Sequence, residues 1–561
     1  MKSNRTKNSG KFVALAAGAL AAGLTLGAAA TTYHVDRATG NDNDDGELWS
    51  TAFKTVRKAL LEAGQNPGPH EIFVAAGTYY PDEIDDQDSN LRSDSFELVN
   101  GVKLYGGFLN GDDFEDRDPI ANETILSGDI DQDNVLWDTD NSWHVVKADG
   151  VDETTVLNGF TISNGYANGG GMDDNGGGIL ILDASLVIVH CTLTTNLASK
   201  GGGIYVEVTG TAAPVVFSCS IIQNIASEGS GMRLEGAPEL ILVVNCLFAK
   251  QGMFGGAIHT NGPDVDVINC TFDWNDYAYC STSQFQSANG SHLRITNSII
   301  QYPNHGPHFI VETETGSLVT VSFSNVIGGL FLTPNICDPV VGVIDGGGNI
   351  DADPMFCDPL ANNNYRLQDG SPCIDTGSDA AVPDDIADVD HDGNTTETLP
   401  WDRDTRIRQF DGDAGSTLVD MGAYENQHHQ LCPADLNDDC EVGVGDLLIL
   451  LAAWGPNPGH PADLDCNREV GVSDLLILLA DWGLCPCGVG PEPLTLEEEL
   501  ADACLTQENW DEFEDVMTDP NASQEDKDRY NCWMIHYLDH CNKCTCEHQP
   551  ECPSPDPFSS T

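Results

Sequence analysis

The chain has 561 residues, with 89 acidic side chains against 24 basic ones and a formal net charge of −65 with histidine neutral. Charge of that sign excludes nucleic acid and anionic membrane surfaces as electrostatic partners. It is either a solvated acidic surface suited to salty or calcium-rich water or, in part, calcium-ligating, and an acidic polysaccharide would need bridging cations or a local basic patch to approach it.

In chain order, Lys2, Arg5, Lys7 and Lys11 precede an apolar run from Phe12 to Leu26 and then Ala28-Ala29-Ala30. This pattern predicts a secretory signal peptide over residues 1–30, and with it an extracellular mature chain, secreted or held at the cell surface. The leucine-rich stretches at 447–451 and 475–479 are too short to span a bilayer, so the chain is not expected to be integral to a membrane.

Tyr33-His34-Val35-Asp36, a helical pattern over Ala52–Ala63 and the strand-like Ile72-Phe73-Val74-Ala75 follow. A short helix and a first strand there would cap the open end of a solenoid. Asp129, Asp131 and Asp133 alternate as calcium ligands do, and equally as a plain acidic turn would.

The middle of the chain repeats every 24 to 28 residues, at His190-Cys191-Thr192-Leu193, Ser218-Cys219-Ser220-Ile221, Asn245-Cys246-Leu247-Phe248, Asn269-Cys270-Thr271-Phe272 and Asn297-Ser298-Ile299-Ile300. So short a unit cannot bury its apolar side alone and must stack on copies of itself, which predicts a right-handed parallel β-helix. Around each marker the apolar residues fall into columns. Leu186, Pro214, Ile241, Val265 and Leu293 form one, Ile188, Val216, Val243, Val267 and Ile295 a second, and Leu193, Ile221, Phe248, Phe272 and Ile300 a third. Cys191, Cys219, Cys246 and Cys270 share a column and read as small buried hydrophobes, not disulfides. Asn196, Asn224, Gln251 and Asn275 form an amide column able to hydrogen-bond along the stack.

Glycine clusters precede Ile179, Ile204, Met232 and Ile258. If these four point inward, their neighbours stack outward as Tyr205, Arg233 and His259, with Glu207, Glu235 and Asn261 in the next column. Such a face would offer an aromatic platform, a base candidate and two carboxylates about 5 Å apart. That arrangement would suit a retaining glycosidase, or β-elimination if Arg233 worked beside calcium-binding acids. Alternating polar residues are also what any solvated β-helix face carries. A second candidate surface is Asp273-Trp274-Asn275-Asp276-Tyr277, where Trp274 and Tyr277 could stack on sugar rings or pack into the turn.

With Leu104-Tyr105-Gly106-Gly107-Phe108, Leu126-Ser127-Gly128-Asp129-Ile130 and Gly159-Phe160-Thr161-Ile162, the N-terminal part resembles the pectin-lyase-like superfamily. The segments Asp351–Phe356, Tyr365-Arg366-Leu367, Gly370–Asp375 and Val419–Glu425 resemble a C-terminal module of the choice-of-anchor Q type. The resemblance implies the fold over about 31–427 but no single activity, because the superfamily holds lyases, hydrolases and non-catalytic surface proteins. The lyase and polygalacturonase signatures are absent from the sequence.

Beyond 430, Ala434–Leu448 and Ala462–Leu476 repeat at a spacing of 28, each running into a leucine-rich helix that ends at Trp454-Gly455 or Trp482-Gly483. This tandem resembles a dockerin, an EF-hand-like pair of calcium loops. The resemblance implies Ca²⁺ on Asp435, Asn437, Asp439, the Glu441 carbonyl and Asp446, and on Asp463, Asp465, Asn467, the Glu469 carbonyl and Asp474. It also implies a cohesin-like or cell-surface receptor as partner, although Val444-Gly445 and Val472-Ser473 stand where a Ser-Thr pair is usual. The alternative is a calcium-stabilised spacer. The Cys-rich end reads as a small disulfide-tied helical hairpin, with a zinc site from Cys541, Cys544, Cys546 and His548 as the other possibility.

The expectation is thus a mostly β protein. A right-handed parallel β-helix with a helical cap covers 31–335 and its C-terminal module 336–427. A dockerin-like domain follows at 432–488, then a Cys-rich helical tail at 489–561. It would bind extracellular polysaccharide, and as a lyase or glycosidase would cleave it; otherwise the helix is a stiff stalk for a non-catalytic surface protein.

Overall fold

The computed structural model describes residues 31–484 apart from internal stretches, chiefly 84–90, 276–283, 302–310, 331–341, 387–393 and 404–417, together with parts of 427–440 and 457–468. The expected signal peptide and Cys-rich tail lie outside the described residues. The chain divides into two compact units, one of residues 1–410 and 418–427, the other of 411–417 and 428–561.

In the first unit every full coil contributes three short strands to three parallel sheets. In the coil that begins at Ile179, strand Ile179–Leu182 joins sheet C, Val187–Val189 joins sheet A, and Thr192–Thr194 joins sheet B. Sheets A, B and C have 11, 9 and 8 described strands. The registers are those the repeat requires, with Ile179, Ile204, Met232 and Ile258 on consecutive strands and Leu193, Ile221, Phe248, Phe272 and Ile300 on another set.

The three apolar columns meet in one core that fills the lumen. Pro214 is buried but stands outside that cluster, where its coil bends into sheet A. Phe248 and Phe272 stack with ring centroids 4.9 Å apart and planes 12° off parallel. The open end is closed as a helical cap should close it, with one change of order. Strand Thr31–Val35 comes before the helix and pairs with His70–Ala75, and helix α1 (Val56–Gln65) starts later than the pattern suggested. The hydroxyl of Thr55 caps it by accepting from the Lys58 amide, and it buries Val56, Ala59, Leu60 and Ala63 against the core.

Polar ladders run beside the apolar ones. The Asn196 and Asn224 amides donate to the side-chain oxygens of Asn224 and Gln251, one coil on, at 3.1 and 3.0 Å. The Asn224 and Asn275 side chains donate in turn to Leu193 O and Phe248 O, both at 2.9 Å. Cys191, Cys219, Cys246 and Cys270 are free and fully buried. Each of the last two sulfurs accepts from the backbone of the coil before it, Cys219 N to Cys246 Sγ at 3.4 Å and Cys246 N to Cys270 Sγ at 3.3 Å. Ser298 and Ser324 then continue the column with hydroxyls.

The residue before each of these cysteines, and before Ser298, turns the corner from sheet A to sheet B in a left-handed conformation. φ is 51° at His190 and Ser218, 54° at Asn245 and 50° at Asn269 and Asn297. Asparagine tolerates that conformation, and here its amide also works outward. Asn245, Asn269 and Asn297 donate to the carbonyls of Trp401, Asp420 and Ser378 at 2.7, 3.1 and 2.9 Å. The segment past residue 350 therefore runs back along the solenoid. Phe356, Tyr365, Met421 and Tyr424 cover Leu247, Ala249 and Ile299 on the outside of sheet B, while Leu399 and Trp401 pack on Val187, Val215, Phe217 and Val244 outside sheet A. Among the described residues, no sheet C residue takes part in either interface.

In the second unit, helices α2 (Val444–Ala452) and α3 (Val472–Ala480) bury Leu450 and Leu478 together with Val442, Val470, Ala434 and Ala462. Strand Glu441–Val442 pairs with Gly483–Leu484, and Gly455–Pro456 with Glu469–Val470, all antiparallel. No helix among the described residues is long and apolar enough to cross a membrane.

Candidate functional site

Sheet C has a largely polar outer face, interrupted by Leu180 and Leu182. Across its strands Glu97, Lys147, Leu180, Tyr205, Arg233, His259 and Gln286 occupy one outward column, and Asp149, Leu182, Glu207, Glu235 and Asn261 the next. At ~4.8 Å per strand the face is about 34 Å long. The expected stacking of Tyr205, Arg233 and His259 beside Glu207, Glu235 and Asn261 is present.

Their exposure is not what an open catalytic face requires. Tyr205, Arg233 and His259 are only 2%, 5% and 4% exposed. Each glycine corner folds back over the start of its strand, and a Cβ on Gly201 would lie 2.9 Å from the Tyr205 Cα, one on Gly229 3.1 Å from the Arg233 Cα. The outward residue that follows the buried Ile or Met is thereby roofed by its own turn. Tyr205 is consequently no aromatic platform; its hydroxyl donates to Glu207 at 3.0 Å, and burial, then Glu235 and Glu207, push its pKa up.

Arg233 is ion-paired on two sides, to Glu235 at 3.0 Å and Glu228 at 3.3 Å, and Lys200 reaches the same Glu235 oxygen at 2.8 Å. Burial alone would raise the Glu235 carboxyl, but the Lys200 hydrogen bond and the Arg233 charge outweigh it and hold the carboxyl below its ordinary range. A glycosidase acid needs the opposite shift. The accessible groups of the face are Glu97, Lys147, Asp149, Lys200, Glu207, Glu228 and Asn261.

The second expected surface is reached only in part. Trp274, Asp276 and Tyr277 lie outside the described residues, while Asp273 and Asn275 are buried, so Asp273 presents no carboxylate to solvent. Asp129, Asp131 and Asp133 do converge, with one oxygen of each within 4.8 Å of the others; Asp129 is buried and the other two are exposed.

In the second unit, Asp435, Asn437, Asp439, Asp463, Asp465 and Asn467 lie outside the described residues. Glu441 and Glu469 stand in the short strands, where only their backbone is described. Asp446 and Asp474 are fully buried in the first turns of α2 and α3. Asp446 accepts from the Leu436 and Gly443 amides, and Asp474 from Gly471, each at 2.7 Å. These bonds orient Asp446 and Asp474 at the starts of their helices. As hard oxygen donors they fit a calcium ion. Val444 and Val472 are 65% and 64% exposed, beside Leu448, Leu451, Leu476 and Leu479, which are exposed as well.

A concavity in the first unit was not expected from the sequence. A cavity of about 740 Å³ opens where the A/B corner meets the returning segment, lined by Arg117, Glu123, Thr161, His190, Trp401 and Arg403 among others. His190 takes the corner position that asparagine fills at 245, 269 and 297. That substitution in the column, and the lone Trp401-Asp402-Arg403 triplet, were its only traces in the sequence.

Residues 177–333 match a family model described as a right handed beta helix region. No curated protein sequence matches the chain. Among solved structures it is similar to pectate lyase Pel9A at 13% identity and a TM-score of 0.38, covering 71% of this chain and 96% of that one. It is similar also to a rhamnogalacturonan lyase, at 13% identity and a TM-score of 0.31, covering 61% and 95%. A GH136 lacto-N-biosidase from Eubacterium ramulus follows at 10%, 0.26, 54% and 61%. The family-model match and the three stacked parallel sheets show that the chain contains a right-handed parallel β-helix.

Proposed function

We propose that this is an exported protein that binds extracellular polysaccharide along the outer face of sheet C. The observation that carries the reading is the contrast between the three sheets. Among the described residues the returning segment covers apolar outer residues of sheets A and B and none of sheet C, whose largely polar face is about 34 Å long. Lys147 and Lys200 alternate there with carboxylates and amides, which suits an extended chain of hydroxyls and acid groups. The ion-paired Arg233 and the lowered Glu235 support binding over cleavage by either elimination or hydrolysis.

In this reading the second unit holds Ca²⁺ through Asp446 and Asp474 with the loops before them, and it attaches the protein to a cohesin-like or cell-surface receptor. The exposed apolar residues of α2 and α3 support a docking role. Co-sedimentation of the mature protein with a panel of insoluble polysaccharides, with ultraviolet absorbance followed in parallel, tests the proposal. Retention without new absorbance is the expected result. A calcium-dependent rise would make the protein a lyase, and no retention on any glycan would leave the stalk.

A further inference from the structure

The cavity at the A/B corner collects cations in a chain that has few. Only 24 of 561 residues are Lys or Arg, yet Arg117 and Arg403 both line it, as does His190. Arg117 is held rigidly. Its Nε donates to Gly106 O at 2.5 Å, and one terminal nitrogen donates to Asn158 O and Oδ1 at 3.0 and 2.6 Å. The rings of Tyr105 and Phe108 lie 5.4 and 6.0 Å from its guanidinium carbon.

None of these partners carries a full negative charge, and no carboxylate pairs with Arg117 within 4.0 Å among the described residues. Desolvation accordingly draws its pKa down to about 10. The two acids on the wall are engaged locally instead. Asp118 accepts from the Ile120 and Ala121 amides at 3.0 and 2.9 Å, and Glu123 from the Thr161 hydroxyl at 2.9 Å.

Trp401 supplies the remaining element. Its carbonyl is fixed by Asn245, and its half-buried indole forms part of the wall. Arg403 is positioned by its bond to the Ser220 hydroxyl at 2.8 Å. An indole beside fixed guanidinium groups suits a ring that carries an acid group, with the ring stacked and the acid held by charge-assisted hydrogen bonds. The volume lies within the range of small-molecule sites.

We propose that this cleft is a further binding site, distinct from the sheet C face, that takes one acidic sugar unit with its ring on Trp401 and its carboxylate toward Arg117, His190 and Arg403. The returning segment completes the site, since neither Trp401 nor Arg403 belongs to the solenoid coils. It is independent of the sheet C reading, because no residue is shared between the two.

Isothermal titration of the full chain with trigalacturonic acid and with its neutral methyl ester tests the proposal. The acid should bind at least about tenfold more tightly than the ester, with the difference shrinking at high salt. Arg403→Gln and His190→Asn should each weaken the acid about fivefold or more. His190→Asn is the safer variant for folding, because asparagine already occupies the same left-handed corner in three other coils. Equal affinity for acid and ester, no binding of the acid at millimolar concentration, or unchanged affinity in both variants would overturn it. The last result would place the trisaccharide elsewhere, on sheet C included.

Discussion

The amide ladder gives the sharpest test of how the solenoid is held together. Asn224 is fully buried; its Oδ1 accepts from the backbone and side-chain nitrogens of Asn196, both at 3.1 Å, and its Nδ2 donates to Leu193 O at 2.9 Å. Asn224→Leu keeps the volume and removes both functions without leaving room for a water. The Asn196 side chain retains its bond to Ile162 O at 3.0 Å and the Leu193 carbonyl stays within the sheet B ladder, so the group left stranded is the Asn196 amide. At roughly 1–3 kcal/mol for a buried orphan, the loss should be about 1–3 kcal/mol. Urea unfolding followed by far-ultraviolet circular dichroism measures it, and hydrogen exchange should show the Asn196 amide opening earlier than its neighbours. Asn224→Gln should cost less, because Gln251 fills the same column. A leucine variant within about 1 kcal/mol of the parent would refute the claim that the ladder is a stabilising element.

Cys246→Ser should cost no more than about 1 kcal/mol by urea unfolding, since Ser298 and Ser324 already serve the same column, whereas Cys246→Leu should lose about 1–3 kcal/mol to overpacking. Glu235 has a depressed carboxyl pKa in the folded state, so its contribution to stability is present above its unfolded pKa and lost as pH falls through the folded value. Glu235→Gln should therefore flatten the acid limb of a stability-against-pH curve below about pH 4.5, and an unchanged limb would count against the Lys200–Glu235–Arg233 network. Calcium chelation should melt the second unit and leave the solenoid folded, read by circular dichroism and limited proteolysis; joint loss of both would contradict their separation. Lys147→Gln with Lys200→Gln should weaken polysaccharide retention if sheet C is the binding face, and full retention would remove that assignment.

The solenoid, its coil length, the three inward columns, the thiol and amide ladders and the stacking of Tyr205, Arg233 and His259 were legible in the order of residues alone. All of these follow from a period of two within strands and a fixed repeat between coils, which a single chain displays without any knowledge of what packs outside. Which outward residues reach solvent was a tertiary outcome. Tyr205 and Arg233 have polar parts and face away from the core, yet glycine corners from their own coils roof them, and Arg233 is closed in further by its ion pairs with Glu228 and Glu235. The role of Asn245, Asn269 and Asn297 was equally hidden, because the chain they clamp lies some eighty to one hundred and fifty residues later. The cleft of Arg117, His190, Trp401 and Arg403 has the same origin. Its two halves are adjacent only because the segment past residue 350 turns back over the solenoid, and no local pattern records a contact made across that distance.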